Sequence, residues 1–218
     1  MRLRRSLVLA FVMLVAVPGL VSAWSQEVNN YPSAPVSCDG SATWPCIEWP
    51  TSGGLSVNVD VYLDSSLTII STVDFKTDVR NTFSQWNGIA ARNPHLQETT
   101  STSNDEEFVH AGQLALTTYG STSTTYHSTS PYRIISCDTV FNTYISWNHS
   151  MDYSSFQLPS GETRYRADSR KVATHELGHC KGLGHTGFAA IMKQGAVSFV
   201  TVQSNDIAGI IAVYGAYP

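Results

Sequence analysis

The chain has 218 residues, 13 basic against 17 acidic side chains and 42% apolar residues. That length suits one domain with a real core. The acidic balance disfavours nucleic acid and anionic membranes as partners, and more so once the head of the chain is set aside: without Arg2, Arg4 and Arg5, ten bases face seventeen acids, a net of −7.

That head is read first. Residues 1–23 join the three arginines to an apolar run, SLVLAFVMLVAVPGL, and end in the small residues VSA. The pattern predicts a secretory signal peptide cleaved after Ala23. A membrane anchor is the competing reading, but the run is short for a span. The remaining chain is therefore expected to be secreted (extracellular), monomeric and free of membrane or nucleic-acid partners. Its cysteines, Cys38, Cys46, Cys137 and Cys180, are even in number, which in an exported chain predicts two disulfides. Three pairings are open. The short loop CDGSATWPC favours Cys38–Cys46 and hence Cys137–Cys180; buried free thiols are the plain alternative.

Residues 24–54, rich in Pro, Ser, Gly and Trp, read as an irregular arm. Residues 55–63 alternate apolar and polar, which predicts a strand. In 71–91, Phe75, Val79, Phe83, Trp86 and Ala90 recur at helical spacing, with Thr72 as N-cap and Asp74 in the first turn. Short strands are predicted near 107–110, 113–118 and 134–142, with a polar Ser/Thr-rich loop at 120–130. A helix opens at Asp168 or Ser169 and runs to about Lys181, where Gly182 stops it. A last helix, capped by Ser204, puts Ile207, Ile210, Ile211 and Tyr214 on one face. This is an α/β chain without internal repeats. Its domain spans 55–218, with an upper lobe at 55–185 and a small helical lower lobe at 186–218.

One stretch carries chemistry: VATHELGHCKGLGHTGFAAIM, residues 172–192. His175 and His179 are four apart on the predicted helix, so both imidazoles share one face. Gly182 permits the left-handed backbone that ends a helix and turns the chain sharply. His185 then returns as a third ligand. Three histidines leave one position of a tetrahedral zinc site open for water, the catalytic arrangement. Glu176 beside them suits a general base rather than a fourth ligand.

The string HELGHCKGLGH, followed by AAIM, resembles the metzincin zinc peptidases. Within them the chain looks most like the matrixins: VATHELGH is similar to their active-site helix, and Asp206, Ile207, Gly209, Ile210, Tyr214 and Gly215 are similar to their closing-helix pattern. The resemblance implies a metzincin (zincin-like) fold. That fold has a twisted, mostly parallel sheet with one antiparallel edge strand, two long helices and a C-terminal lobe with one helix. It implies one catalytic Zn2+ on His175, His179 and His185, Glu176 as general base, and Met192 as the apolar floor of a Met-turn. It implies that Leu114, Ala115 and Leu116 line an edge strand that binds an extended peptide or protein by strand addition.

The function expected is a secreted zinc endopeptidase. Two alternatives stand beside it: a catalytically inactive binding module, against which Glu176 counts, and a zinc amidase acting on cell-wall peptides. Gln194 stands where some metzincins carry an extra tyrosine ligand. Asp105, Glu106 and Glu107 are candidates for calcium, with a solvated acidic loop as the plainer reading. His110, His127 and His149 are too scattered to form a second metal site.

Overall fold

The computed structural model describes residues 7–12, 47–50, 57–68, 70, 73–102, 106–126, 132–195 and 197–215. Ten strands are described: β1 (Leu7–Val12), β2 (Ile47–Glu48), β3 (Asn58–Leu63), β4 (His95–Thr99), β5 (Glu107–Gly112), β6 (Gly120–Tyr126), β7 (Tyr132–Asn142), β8 (Ile145–Asn148), β9 (Ser155–Gln157) and β10 (Thr163–Asp168). The helices are α1 (Phe75–Asn87), α2 (Ser169–Cys180) and α3 (Ser204–Tyr214). Strands β4, β3, β5 and β7 are parallel neighbours, in that order. Strand β6 runs antiparallel to β7, and Leu7–Val12 pairs antiparallel on its outer side. A second sheet, β8-β10-β9, leads into α2. The result is the mixed α/β architecture expected, a mostly parallel sheet with an antiparallel strand beyond it.

Helix α1 forms because Phe75, Val79, Phe83 and Trp86 fall on one buried stripe. Its N-cap is Asp74, whose carboxylate accepts from Thr77 N at 3.1 Å; Thr72 lies outside the described residues. Ala90 falls beyond the helix and is exposed, while Ile89 is buried in its place. The core closes with Phe75 against Phe141 and Trp147, ring centroids 4.6 and 5.0 Å apart.

Helix α2 is tied at both ends. Asp168 is its N-cap and accepts from Arg170 N. Beside it, Asp78 of α1 accepts from Ser169 Oγ and pairs with His149 Nε2 at 2.8 Å. Trp86 Nε1 donates to Thr174 O at 3.0 Å, fixing α1 across α2. At the far end the carbonyls of Cys180 and Lys181 would be orphans. Trp49 Nε1 donates to the first at 2.6 Å and the Tyr214 hydroxyl to the second at 2.9 Å. The region read as an irregular arm therefore contributes a buried tryptophan, and Ile47 and Glu48 pair in parallel with β7.

Four expectations are corrected. Residues 113–118 are not a strand. The Asn142 side chain accepts from Leu114 N and donates to Ala115 O and Thr118 O, and Thr118 N donates to Ala115 O, closing a turn. The strand follows it, in the Thr/Ser stretch read as a loop, with Thr122 and Thr124 facing inward. In α3 the buried face is Asp206, Ile210, Val213 and Tyr214, whereas Ile207 and Ile211 are 38% and 37% exposed. Its N-cap is Gln203 rather than Ser204, because Gln203 N reaches back to Asp206 Oδ2 at 2.8 Å.

Cys137 of β7 and Cys180 of α2 form a disulfide with Cα atoms 5.7 Å apart; Cys38 and Cys46 lie outside the described residues. The bridge spans a sequence separation of 43 residues, for which loop-closure entropy gives about 4 kcal/mol. The double variant Cys137→Ala/Cys180→Ala is expected to lose that much in urea unfolding. A loss under about 1 kcal/mol would show that the sheet and helix hold each other without the bridge.

Candidate active site

The three histidines converge. His175 and His179 stand one turn apart on α2, and positive φ at Gly182 (84°) turns the chain so that His185 returns to them. Their ligand atoms all lie within 4.8 Å of one another, with His179 Nε2 and His185 Nε2 each 3.2 Å from His175 Nε2. His175 Nδ1 meets Ile191 O and His179 Nδ1 meets Leu183 O, both at 2.7 Å. A carbonyl only accepts, so each Nδ1 carries the proton and each facing Nε2 is a bare lone pair. Bare lone pairs at that separation repel unless a cation sits among them. Donors of a tetrahedral zinc site with bonds of about 2.0–2.1 Å stand about 3.3 Å apart, which matches the observed 3.2 Å. The residues present fit zinc.

Burial keeps all three imidazoles neutral. It holds His179 at about 3 and His185 at about 4, and His175, where the Lys171 charge adds to burial, well below its ordinary range. Lys171 is itself buried one turn before His175. Its Nζ donates to Gly195 O at 3.0 Å, and burial pulls it down to about 8.

Glu176 is 1% exposed. Burial pushes its carboxyl up to about 7, against the Thr122 hydrogen bond and the Lys171 charge, which lower it. Oε2 accepts from Thr122 Oγ1 at 2.8 Å, while Oε1 has no hydrogen-bond partner. An unpartnered buried oxygen is costly unless a reacting group is to meet it.

The floor is Met192, 2% exposed. Gly178 is what admits it: a Cβ there would run into Met192 Sδ and come within 2.8 Å of Trp86 Cζ2. The turn that carries Met192 is held by Asp206, whose carboxylate accepts from Ile191 N at 2.8 Å and Met192 N at 3.1 Å.

The sequence model of the matrixins matches residues 56–215. The chain belongs to the matrixin family. Matrixins are zinc metalloendopeptidases, and the match runs through the whole stretch that carries the histidines. No curated protein matches the chain.

Of the residues singled out in the sequence, His175, His179 and His185 bring their ligand atoms within 4.8 Å of one another, Glu176 is buried on the same helix, and Met192 is buried against Gly178. Leu114, Ala115 and Leu116 belong instead to the turn before β6, with Leu116 45% exposed. Sequence reasoning missed Thr122, Gly120, Lys171 and the anchoring role of Asp206. The alternation of Thr122 and Thr124 was the available signal for the first. A lysine at i−4 from the first histidine was the signal for the third. Glu107, read with a solvated acidic run, is fully buried in β5 and burial pushes it up to about 8.

Gly178→Ala is expected to cost about 1–3 kcal/mol in urea unfolding of chelator-treated protein, because Met192 and Trp86 must both shift; an unchanged midpoint would mean the floor yields freely. The neutral His185, with a folded pKa of about 4 against 6.5, contributes stability above pH 6.5 that is lost as pH falls toward 4. In the metal-free state, wild type should therefore lose more stability than His185→Asn over that descent. Parallel curves would contradict the burial of this imidazole.

Proposed function

We propose that this matrixin is a secreted endopeptidase that hydrolyses peptide bonds with zinc held by His175, His179 and His185 and with Glu176 as general base. The observation that carries the reading is the set of three converging Nε2 atoms beside a buried carboxylate with one free oxygen. Zinc bound there would act as a Lewis acid and bring the attacking water within reach of a carboxylate base at neutral pH. Glu176 Oε1 takes the proton from that water and hands it to the departing amide nitrogen. Its position near pH 7 suits both halves of that transfer.

Export is supported by the signal-like residues 1–23 and by the Cys137–Cys180 bridge, a feature of oxidising compartments. No helix among the described residues is long and apolar enough to cross a membrane. Substrate binding by strand addition is supported by β6. Its outer edge takes Leu7–Val12 antiparallel, from Leu7 opposite Tyr126 to Val12 opposite Ser121. Loss of residues 1–23 frees that edge for a substrate strand. A peptide in the same direction would lay its amino-terminal half along Ser121–Tyr126 and reach Gly120, which lies against Glu176, at the bond to be cut.

The test is hydrolysis of denatured casein or gelatin by the chain from Trp24 onward, with and without a zinc chelator, beside Glu176→Ala and His179→Ala. Expected are chelator-sensitive cleavage, at least about a hundredfold loss in Glu176→Ala with one zinc retained, and loss of zinc in His179→Ala. Near-normal turnover by Glu176→Ala would sink the general-base role. One zinc per chain without protein cleavage would favour a binding module, or an amidase if cell-wall peptides are cut instead.

A further inference from the structure

Strand β6 carries Gly120 and Thr122 on one face, two residues apart, and that face lies over α2 at Glu176. Thr122 is fully buried. Its Oγ1 is 2.8 Å from Glu176 Oε2 and 3.2 Å from Glu176 O. A threonine hydroxyl has one proton to give, and the ionised carboxylate at the shorter distance is the stronger acceptor. Thr139, directly opposite Thr122 in the ladder, places its own Oγ1 3.3 Å away. Gly120 bounds the Glu176 side chain by exclusion: an added Cβ would come within 2.8 Å of Glu176 Cγ and 2.9 Å of Oε1.

We infer that Thr122 is the positioning residue of the catalytic base: it engages Oε2 of Glu176 and so assigns proton transfer to Oε1. This rests on the reading of Glu176 as general base. A carboxylate without that hydrogen bond could turn either oxygen toward the reacting water and swing between rotamers. With it, one oxygen is committed and the other, unpartnered, is left for the chemistry. Because Thr122 acts through Glu176, its loss should appear in the chemical step and not in substrate binding.

The experiment uses protein exported by a host expressing the full chain, loaded with zinc. Turnover is measured on a fluorogenic peptide copied from a site mapped in the casein digest. Thr122→Val keeps the shape and removes the hydroxyl; Thr122→Ser restores it. Expected for Thr122→Val is a kcat about tenfold to a hundredfold lower, the range of one hydrogen bond to a charged group. KM and zinc content should stay at wild-type values, and Thr122→Ser should recover most of the rate. Gly120→Ala should also lose rate, and crystal structures of both damaged variants should show the Glu176 carboxylate moved. Wild-type kcat in Thr122→Val, or a loss that Ser does not relieve, overturns the inference. If the zinc-loaded wild type cleaves nothing, the functional reading fails separately. The variant crystal structure then decides alone, and an unmoved Glu176 in Thr122→Val overturns the positioning role.

Discussion

The carboxylate of Asp206 is the contact on which the site depends. It sits at the start of α3, 2% exposed, and accepts backbone N–H groups from Ile191, Met192 and Gln203. Burial alone raises its pKa, and the three donors oppose that by favouring the ionised form. Two of those donors belong to the turn carrying Met192. The carbonyl of Ile191, in the same turn, accepts the Nδ1 proton of His175. One acidic side chain thus fixes the floor and, through one carbonyl, the tautomer of the first histidine. The start of α3 is thereby part of the scaffold of the histidine cluster.

The same economy governs α2. An amphipathic helix held only by apolar contacts can shift along its axis with little change in buried area. Here polar ties fix it at Asp168, at Thr174 and at the carbonyls of Cys180 and Lys181. The helix has to keep Nε2 atoms within tenths of an ångström of a tetrahedral arrangement, and directional bonds supply that precision where non-directional burial does not. Beneath it the arrangement is costly. Glu107 is fully buried in β5, and Lys181 is buried on Asn93 and Pro94 carbonyl oxygens. Burial draws the first up to about 8 and the second down to about 7.

The histidine cluster was legible in the sequence because its geometry is local: i and i+4 on a helix share a face, and a glycine three residues later can bend the chain. The apolar stripe of α1 was legible for the same reason. What could not be read depends on contacts far apart in sequence. Threonine is both a loop residue and a β-branched strand former, so the stretch at 120–126 took its state from pairing with Thr139 and its neighbours. Glu107 lies in a short acidic run, and only the register of β5 between β3 and β7 buries it. Trp49 and Tyr214 act on carbonyls 131 and 33 residues away. The face of α3 was misjudged because its isoleucines are apolar all round, and only packing selects Ile210 over Ile207 and Ile211.

The bond from Trp49 to the end of α2 also sets a limit on how the chain can be shortened. A truncation from the amino-terminal side that keeps the fold's ties intact stops ahead of Ile47. Beyond that point it strips the parallel partner of β7 and the indole that occupies the Cys180 carbonyl. The residue next to that carbonyl, His179, is one of the three histidines of the cluster. An over-trimmed chain would keep every residue of the 172–192 stretch and yet carry a frayed helix end beside it. The shortest chain that keeps this helix end tied is thus set by a hydrogen bond within the fold and not by the edge of a recognisable motif.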